Sequence, residues 1–174
     1  MRKAVLISIK PQWCELIASE KKTIEVRKTR PKMLAPFKCY IYCTQTTHWN
    51  PALIRRYENP NGNIYIGGNH YSEFMTARVI GEFVCDKVIP FSFYCSDPTA
   101  LITHFEVPGT CLSDVEIMNY LGNGKDGWGW HISELKMYNS PKLLSDFKRY
   151  AGFAESDIIK RAPQSWCYVE ELEG

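Results

Sequence analysis

Lys22, Glu25 and Arg27 fall close together in the run Glu20-Lys21-Lys22-Thr23-Ile24-Glu25-Val26-Arg27-Lys28. A guanidinium holds a phosphate or carboxylate through two parallel hydrogen bonds. A lysine with a lowered pKa acts as base or nucleophile, and a neighbouring carboxylate can move its protons. The three residue types therefore suit either anion recognition or proton-transfer chemistry. If the run is a strand, residues 25 and 27 share one sheet face while Ile24 and Val26 point the other way, into a core. The ionisable face is then a binding surface. The same alternation also fits a half-solvated antiparallel strand in which Arg27 and Glu25 are simply paired, so the surrounding elements have to decide.

Upstream, Ala4-Val5-Leu6-Ile7-Ser8-Ile9-Lys10 reads as a β-branched strand. Pro11 sits where a helix can begin, and Trp13, Leu16 and Ile17 follow at helical spacing. The order strand, short helix, charged strand brings Ser8, Lys10, Trp13, Lys22, Glu25 and Arg27 to one cleft if the sheet curves. A basic, proline-punctuated loop follows, in which Lys28, Arg30 and Lys32 form a rim suited to phosphate.

Phe37 to Thr44 reads as a third strand, and Ala77 to Val88 as a central one, with Val79, Phe83 and Cys85 alternating with Ile80, Glu82 and Val84. Ser113 and Glu116 form a capping box for a helix with Val115, Met118 and Leu121 on its apolar side, stopped by Gly122. Gly127 to Tyr138 reads as a strand whose alternation slips near Ser133 or Glu134, which predicts a bulge. Ser140-Pro141 is expected to cap a short helix through Phe147, and Gln164 to Val169 to form the closing strand. Residues 45–75 are rich in Asn, Gly and Pro, and with 91–127 they read as loop insertions. Five or six strands with short helices imply a small, strongly curved antiparallel or mixed sheet, whose edges a barrel would close.

Nucleobases are held by stacking on aromatic rings, with cations nearby for phosphate. Trp13, Tyr42, His48, Trp49 and Trp166 are the candidate platforms, and Gln164 and Ser165 are neutral hydrogen-bonders able to read a base edge.

At 174 residues, 45% of them hydrophobic and 13% aromatic, the chain suits one folded domain over 1–174. A net charge of only +2 excludes a protein that coats duplex DNA and leaves local, selective nucleic-acid contact. The seven cysteines are an odd number and the first apolar run is too short for a signal peptide or membrane span, so reduced, buried thiols in the cytoplasm are expected. Cys39 and Cys43 lie on one face of a strand, not at a zinc-gripping turn, and the four histidines show no ligand spacing. No metal or cofactor is expected. No glycine-rich phosphate loop or nucleophile elbow is present.

The strand, helix and charged run together resemble the ASCH family, relatives of the PUA and EVE domains, whose signature is Gly-x-Lys-x-x-Glu-x-Arg after a strand and helix. Lys22, Glu25 and Arg27 match it, while Glu20 stands where the family has Gly. The resemblance extends over most of the chain and implies an α+β, PUA-like small β-barrel that binds RNA or a nucleotide. One branch of the family is similar to a minimal amidohydrolase that deacylates N4-acetylcytidine with a Lys, a Thr and a Glu. Lys22 matches that lysine, and Lys22 with Glu25 would be the catalytic couple. Glu25 falls at the threonine position, leaving Thr23 or Thr44 as substitutes and Glu116 as candidate second carboxylate. A third reading, a protein-interaction module in a phage-defence or prophage setting, would use the aromatic stretch between Gln45 and Met75.

Overall fold

The computed structural model describes residues 2–45, 57–58, 64–65, 76–92, 106–122, 124–150 and 157–173. In chain order these form β1 (Lys3–Ile9), α1 (Pro11–Ala18), β2 (Ile24–Arg27), β3 (Phe37–Cys43), β4 (Tyr57–Glu58), β5 (Ile64–Tyr65), β6 (Arg78–Cys85) and β7 (Val88–Phe91). Then come β8 (Glu106–Val107), β9 (Leu112–Ser113), α2 (Asp114–Leu121), β10 (Gly127–His131), β11 (Ser133–Lys142) and β12 (Trp166–Glu170).

β1 and β3 are parallel neighbours, and a parallel pair needs a crossover between its strands. Here α1 and β2 occupy that crossover, so the charged strand is lifted out of the main sheet. The main sheet is mixed, in the order β11-β6-β3-β1-β12, whereas β2 pairs antiparallel with β10 in a second sheet, β2-β10-β7. β4 pairs with β5 and β8 with β9 as small ribbons. Residues 127–142 pass from the small sheet to the edge of the large one. The expected bulge falls at this crossing: Glu134 has φ 48° and the β11–β6 register shifts between Ser133 and Lys136. Among the described residues the architecture is α+β with two α-helices. A closed barrel is not formed among the described strands, which make two main sheets and two small ribbons.

The principal core lies between the sheets. It joins Val5, Ile7 and Ile9 of β1 to Cys14 and Ile17 of α1, Cys39, Ile41 and Cys43 of β3, Phe83 of β6 and Trp130 of β10. Leu6, Tyr40, Tyr42, Val79 and Phe147 form a second core on the other side of the large sheet. Six of the seven cysteines are described, all six as free thiols, with Cys14, Cys39, Cys43 and Cys85 buried. No helix among the described residues is long and apolar enough to cross a membrane.

Three expectations need correction. On β6 the register jumps from Ile41↔Gly81 to Tyr42↔Val79. This one extra residue swings Ile80 onto the face of Phe83 and Cys85 and sends Val79 to the opposite core. Ser140 and Pro141 end β11 rather than starting a helix, and a single 3-10 turn follows at Leu144–Asp146. β11 is an edge strand, where the missing N–H of proline is tolerated. The capping box of α2 forms as expected, with Glu116 N donating to Ser113 Oγ and Ser113 N to Glu116 Oε2. Its deeply buried residues, however, are Ile117 and Leu121, which pack on Val26 of β2, while Val115 and Met118 are only half-buried.

Gly129 shows how closely the small sheet is covered. A Cβ there would stand 2.7 Å from Phe91 Cζ and 2.8 Å from Ile24 Cγ2. Gly129→Ala should therefore cost about 1–3 kcal/mol through overpacking, read in urea as a lower midpoint with unchanged slope.

Candidate functional site

Both faces of β2 are covered. α2 seals the Val26 side, so the Glu25 and Arg27 side is the interior between the sheets rather than a solvated face as the alternation suggested. Lys22 is 2%, Glu25 5% and Arg27 6% exposed. In the antiparallel register Glu25 faces Trp130 and Arg27 faces Trp128.

Glu25 holds the group together. Its Oε1 accepts from Arg27 Nη2 at 2.9 Å, and its Oε2 lies 3.6 Å from Lys22 Nζ. Arg27 Nη2 also donates to the Ser8 carbonyl at 2.6 Å, and Nη1 makes a longer bond, 3.4 Å, to Ser165 Oγ. Ser8 is fixed in turn, because its Oγ donates to the Pro163 carbonyl at 2.6 Å and its N–H to the Ser165 carbonyl at 2.9 Å. Lys22 Nζ donates to the Thr110 carbonyl at 2.6 Å and sits 5.1 Å from the centre of the Trp13 ring. β1, β2, β12, α1 and the turn before β9 thus converge on one charged cluster.

Burial lowers the Lys22 pKa below the ordinary value, and the Glu25 carboxylate opposes that shift. Burial raises the Tyr120 pKa, while Arg27 lowers it and Glu25 raises it, so this phenol at the end of α2 lies within electrostatic reach of the pair. Glu25 Oε2, Arg27 Nε and Trp130 Nε1 are buried without a hydrogen-bond partner among the described residues. Glu25 Oε2 is within ion-pair range of Lys22 Nζ at 3.6 Å, so one acceptor and two donors on one sheet face keep hydrogen-bonding capacity that the described residues do not use.

Several expected residues join the cluster and others do not. Ser8, Trp13, Lys22, Glu25, Arg27 and Ser165 meet there. Lys10, Lys28 and Gln164 are exposed, and Lys28 Nζ stands 5.3 Å from the Tyr120 ring centre. Trp166 serves as wall: its Nε1 donates to Thr29 Oγ1 at 3.0 Å and its ring packs 5.9 Å from Trp130. Tyr42 is a correction, because β3 alternation turns it into the opposite core, away from the site. Glu116 is also committed elsewhere, closing the α2 cap at the surface. His48 and Trp49 lie outside the described residues.

Thr110 and Trp130 escaped the sequence reading. The signal for Thr110 was the Pro108-Gly109 turn: Gly109 has φ 78°, and its carbonyl accepts from the N–H groups of both Thr23 and Ile24 at 2.8 Å. For the tryptophan it was Gly-Trp-Gly-Trp, whose period of two puts both indoles on one face.

No family model and no curated protein matches the sequence. Solved structures do match. The ASCH protein of Zymomonas mobilis aligns over 98% of this chain and 90% of its own length, with a TM-score of 0.58 and 17% identity. A tyrosine-to-phenylalanine variant of it aligns over 98% and 92% with a TM-score of 0.57, again at 17% identity. A serine-to-alanine variant gives 98%, 90%, 0.58 and 17%. The chain has the ASCH fold. Glu25 and Arg27 lie on β2, the strand that follows β1 and α1, and Lys22 lies in the connection just before it.

Removing Glu25 strands two cations, whereas removing Lys22 leaves Glu25 paired with Arg27. Glu25→Gln should therefore cost about 3–5 kcal/mol, and Lys22→Met less, both measured by urea denaturation. The Lys22 pKa in the folded state lies below its unfolded value, so the folded state binds fewer protons between the two. Stability then rises with pH across that window. Glu25→Gln removes the carboxylate that opposes the shift, so its deficit should shrink as pH is raised toward the ordinary lysine value of 10.5.

Proposed function

We propose that this ASCH-fold chain binds RNA or a nucleotide at the Lys22–Glu25–Arg27 cluster. The observation that carries the reading is a single carboxylate shared by two buried cations beside an aromatic ring, one negative charge set against two positive ones. Buried ion sets contribute little net stability compared with apolar packing, and perturbed ionisable groups concentrate at functional sites. Ser165 makes the longest of the three Arg27 contacts, 3.4 Å, so this bond is the one most readily exchanged for a phosphate or base oxygen. Trp13 supplies the stacking surface, with Lys10 and Lys28 at the rim.

Lys22 favours a second reading. A buried lysine with a lowered pKa, 3.6 Å from a carboxylate, is suited to proton transfer or nucleophilic attack, as hydrolysis of an N4-acylated cytidine requires. Against it stand Glu25 in place of the threonine and the removal of Glu116 to the α2 cap.

Fluorescence polarisation of a labelled mixed-sequence single-stranded RNA separates these readings when paired with an acetate-release assay on N4-acetylcytidine. Binding should weaken about tenfold in Arg27→Lys, which keeps the charge and loses the fork, with circular dichroism confirming the fold. Unchanged affinity in Arg27→Lys and in Trp13→Leu would remove the binding reading. Acetate release lost in Lys22→Met would put the hydrolase in its place.

A further inference from the structure

Beyond β2 the chain is pinned on one side. The Thr29 hydroxyl accepts from Trp166 Nε1 at 3.0 Å, Pro31 is buried, and the Lys32 N–H donates to the Tyr168 hydroxyl at 2.8 Å. Lys28 and Arg30 project from the same stretch onto aromatic rings supplied by other elements. Lys28 Nζ is 5.3 Å from the centre of the Tyr120 ring on α2, and Arg30 Cζ is 4.6 Å from that of Trp128 on β10.

Trp128 faces Arg27 in the strand register, so the Arg30–Trp128 part of this surface borders the buried cluster, and Tyr120 lies within electrostatic reach of Arg27 and Glu25. Lys28, Arg30 and Lys32 are exposed, and Tyr120 is 42% exposed. Among the described residues no carboxylate pairs with any of the three cations, in contrast to the interior, where Glu25 pairs with both Lys22 and Arg27. The surface therefore combines ordered cations, aromatic rings and unneutralised positive charge. A single-stranded nucleic acid has the complementary chemistry, because every base has a face that stacks on a ring or guanidinium and each phosphate matches an ammonium.

We propose that residues 28–32, with Tyr120 and Trp128, form an extension of the site that holds the nucleotides flanking the one in the cleft, in single-stranded RNA. Arg30 is the platform: one side of the guanidinium rests on the Trp128 indole, and a base stacks on the other. Lys28 and Lys32 take the phosphates. The Cα atoms of residues 28 and 32 are at most about 14 Å apart along the chain, so the two lysines bracket Arg30 in chain order, one for the phosphate on each side of the stacked base. This inference rests on the nucleotide-binding reading and adds length and strand selectivity to it.

Polarisation with a fluorescein-labelled octaribonucleotide, its duplex with the complementary strand, and NMR titration with ribonucleoside monophosphates form the test. The octamer should bind more tightly than a monophosphate and than the duplex. Arg30→Ala and Arg30→Glu, at an exposed position, should weaken octamer binding about tenfold and more than tenfold, flatten its salt dependence, and leave monophosphate shifts unchanged. Monophosphate binding with an octamer no tighter, or octamer affinity unaffected by Arg30→Glu, would overturn the extension alone. Duplex bound as tightly as the single strand would also overturn it. Failure of both the monophosphates and the octamer to bind would overturn the cleft reading and the extension with it.

Discussion

The carboxylate of Glu25 is the constraint on which the site depends. Lys22 and Arg27 are too deeply buried to rely on water, and their attraction to Glu25 must offset a desolvation cost of several kcal/mol per ion. Charge alone would not hold the geometry. The Ser8 carbonyl takes a hydrogen bond from Arg27 and the Thr110 carbonyl one from Lys22, which fixes where the positive charge lies. The result is a preorganised electrostatic cluster inside an otherwise apolar core.

The topology explains how a strand with such a sequence becomes internal. A parallel β1–β3 pair must be joined by a crossover, and this one carries α1 followed by β2. The charged strand is forced to find partners outside the main sheet. Once it pairs with β10, the faces of the two sheets confront one another across Trp130, and α2 covers the remaining side through Ile117 and Leu121. The tight turn at Gly109 ties this cover to the N–H groups that begin β2.

Much of this was legible where local chemistry dominates. The β-branched run of β1, Pro11 at the start of α1, the Ser113–Glu116 box and the slip at Glu134 all report backbone preferences, and all are realised. The Lys22, Glu25 and Arg27 spacing also identified residues that meet in space. What escaped depended on through-space partners. The alternation of β2 did not reveal that a second layer would bury its polar face, because period alone does not distinguish solvent from a polar interior. The extra residue at Ile80 inverted the faces of β6 beyond it, and the one local mark of it was Gly81 at the jump, since a glycine inside a strand often accompanies a bulge. Tyr42 failed as a platform for the related reason that only the sheet order determines which face meets the site.

The hydrogen bonds that complete the site span almost the whole chain: Lys22 to Thr110 bridges 88 positions, Arg27 to Ser165 bridges 138, and Ser8 to Pro163 bridges 155. Contacts of such separation carry the loop-closure cost that makes a topology slow to fold. During synthesis the cationic side chains of residues 22 and 27 emerge long before Thr110 and Ser165, the later groups that complete their hydrogen bonding. The full cluster therefore waits on the approach of β12, because the Ser8–Pro163 and Arg27–Ser165 bonds are made by the residues just before that strand.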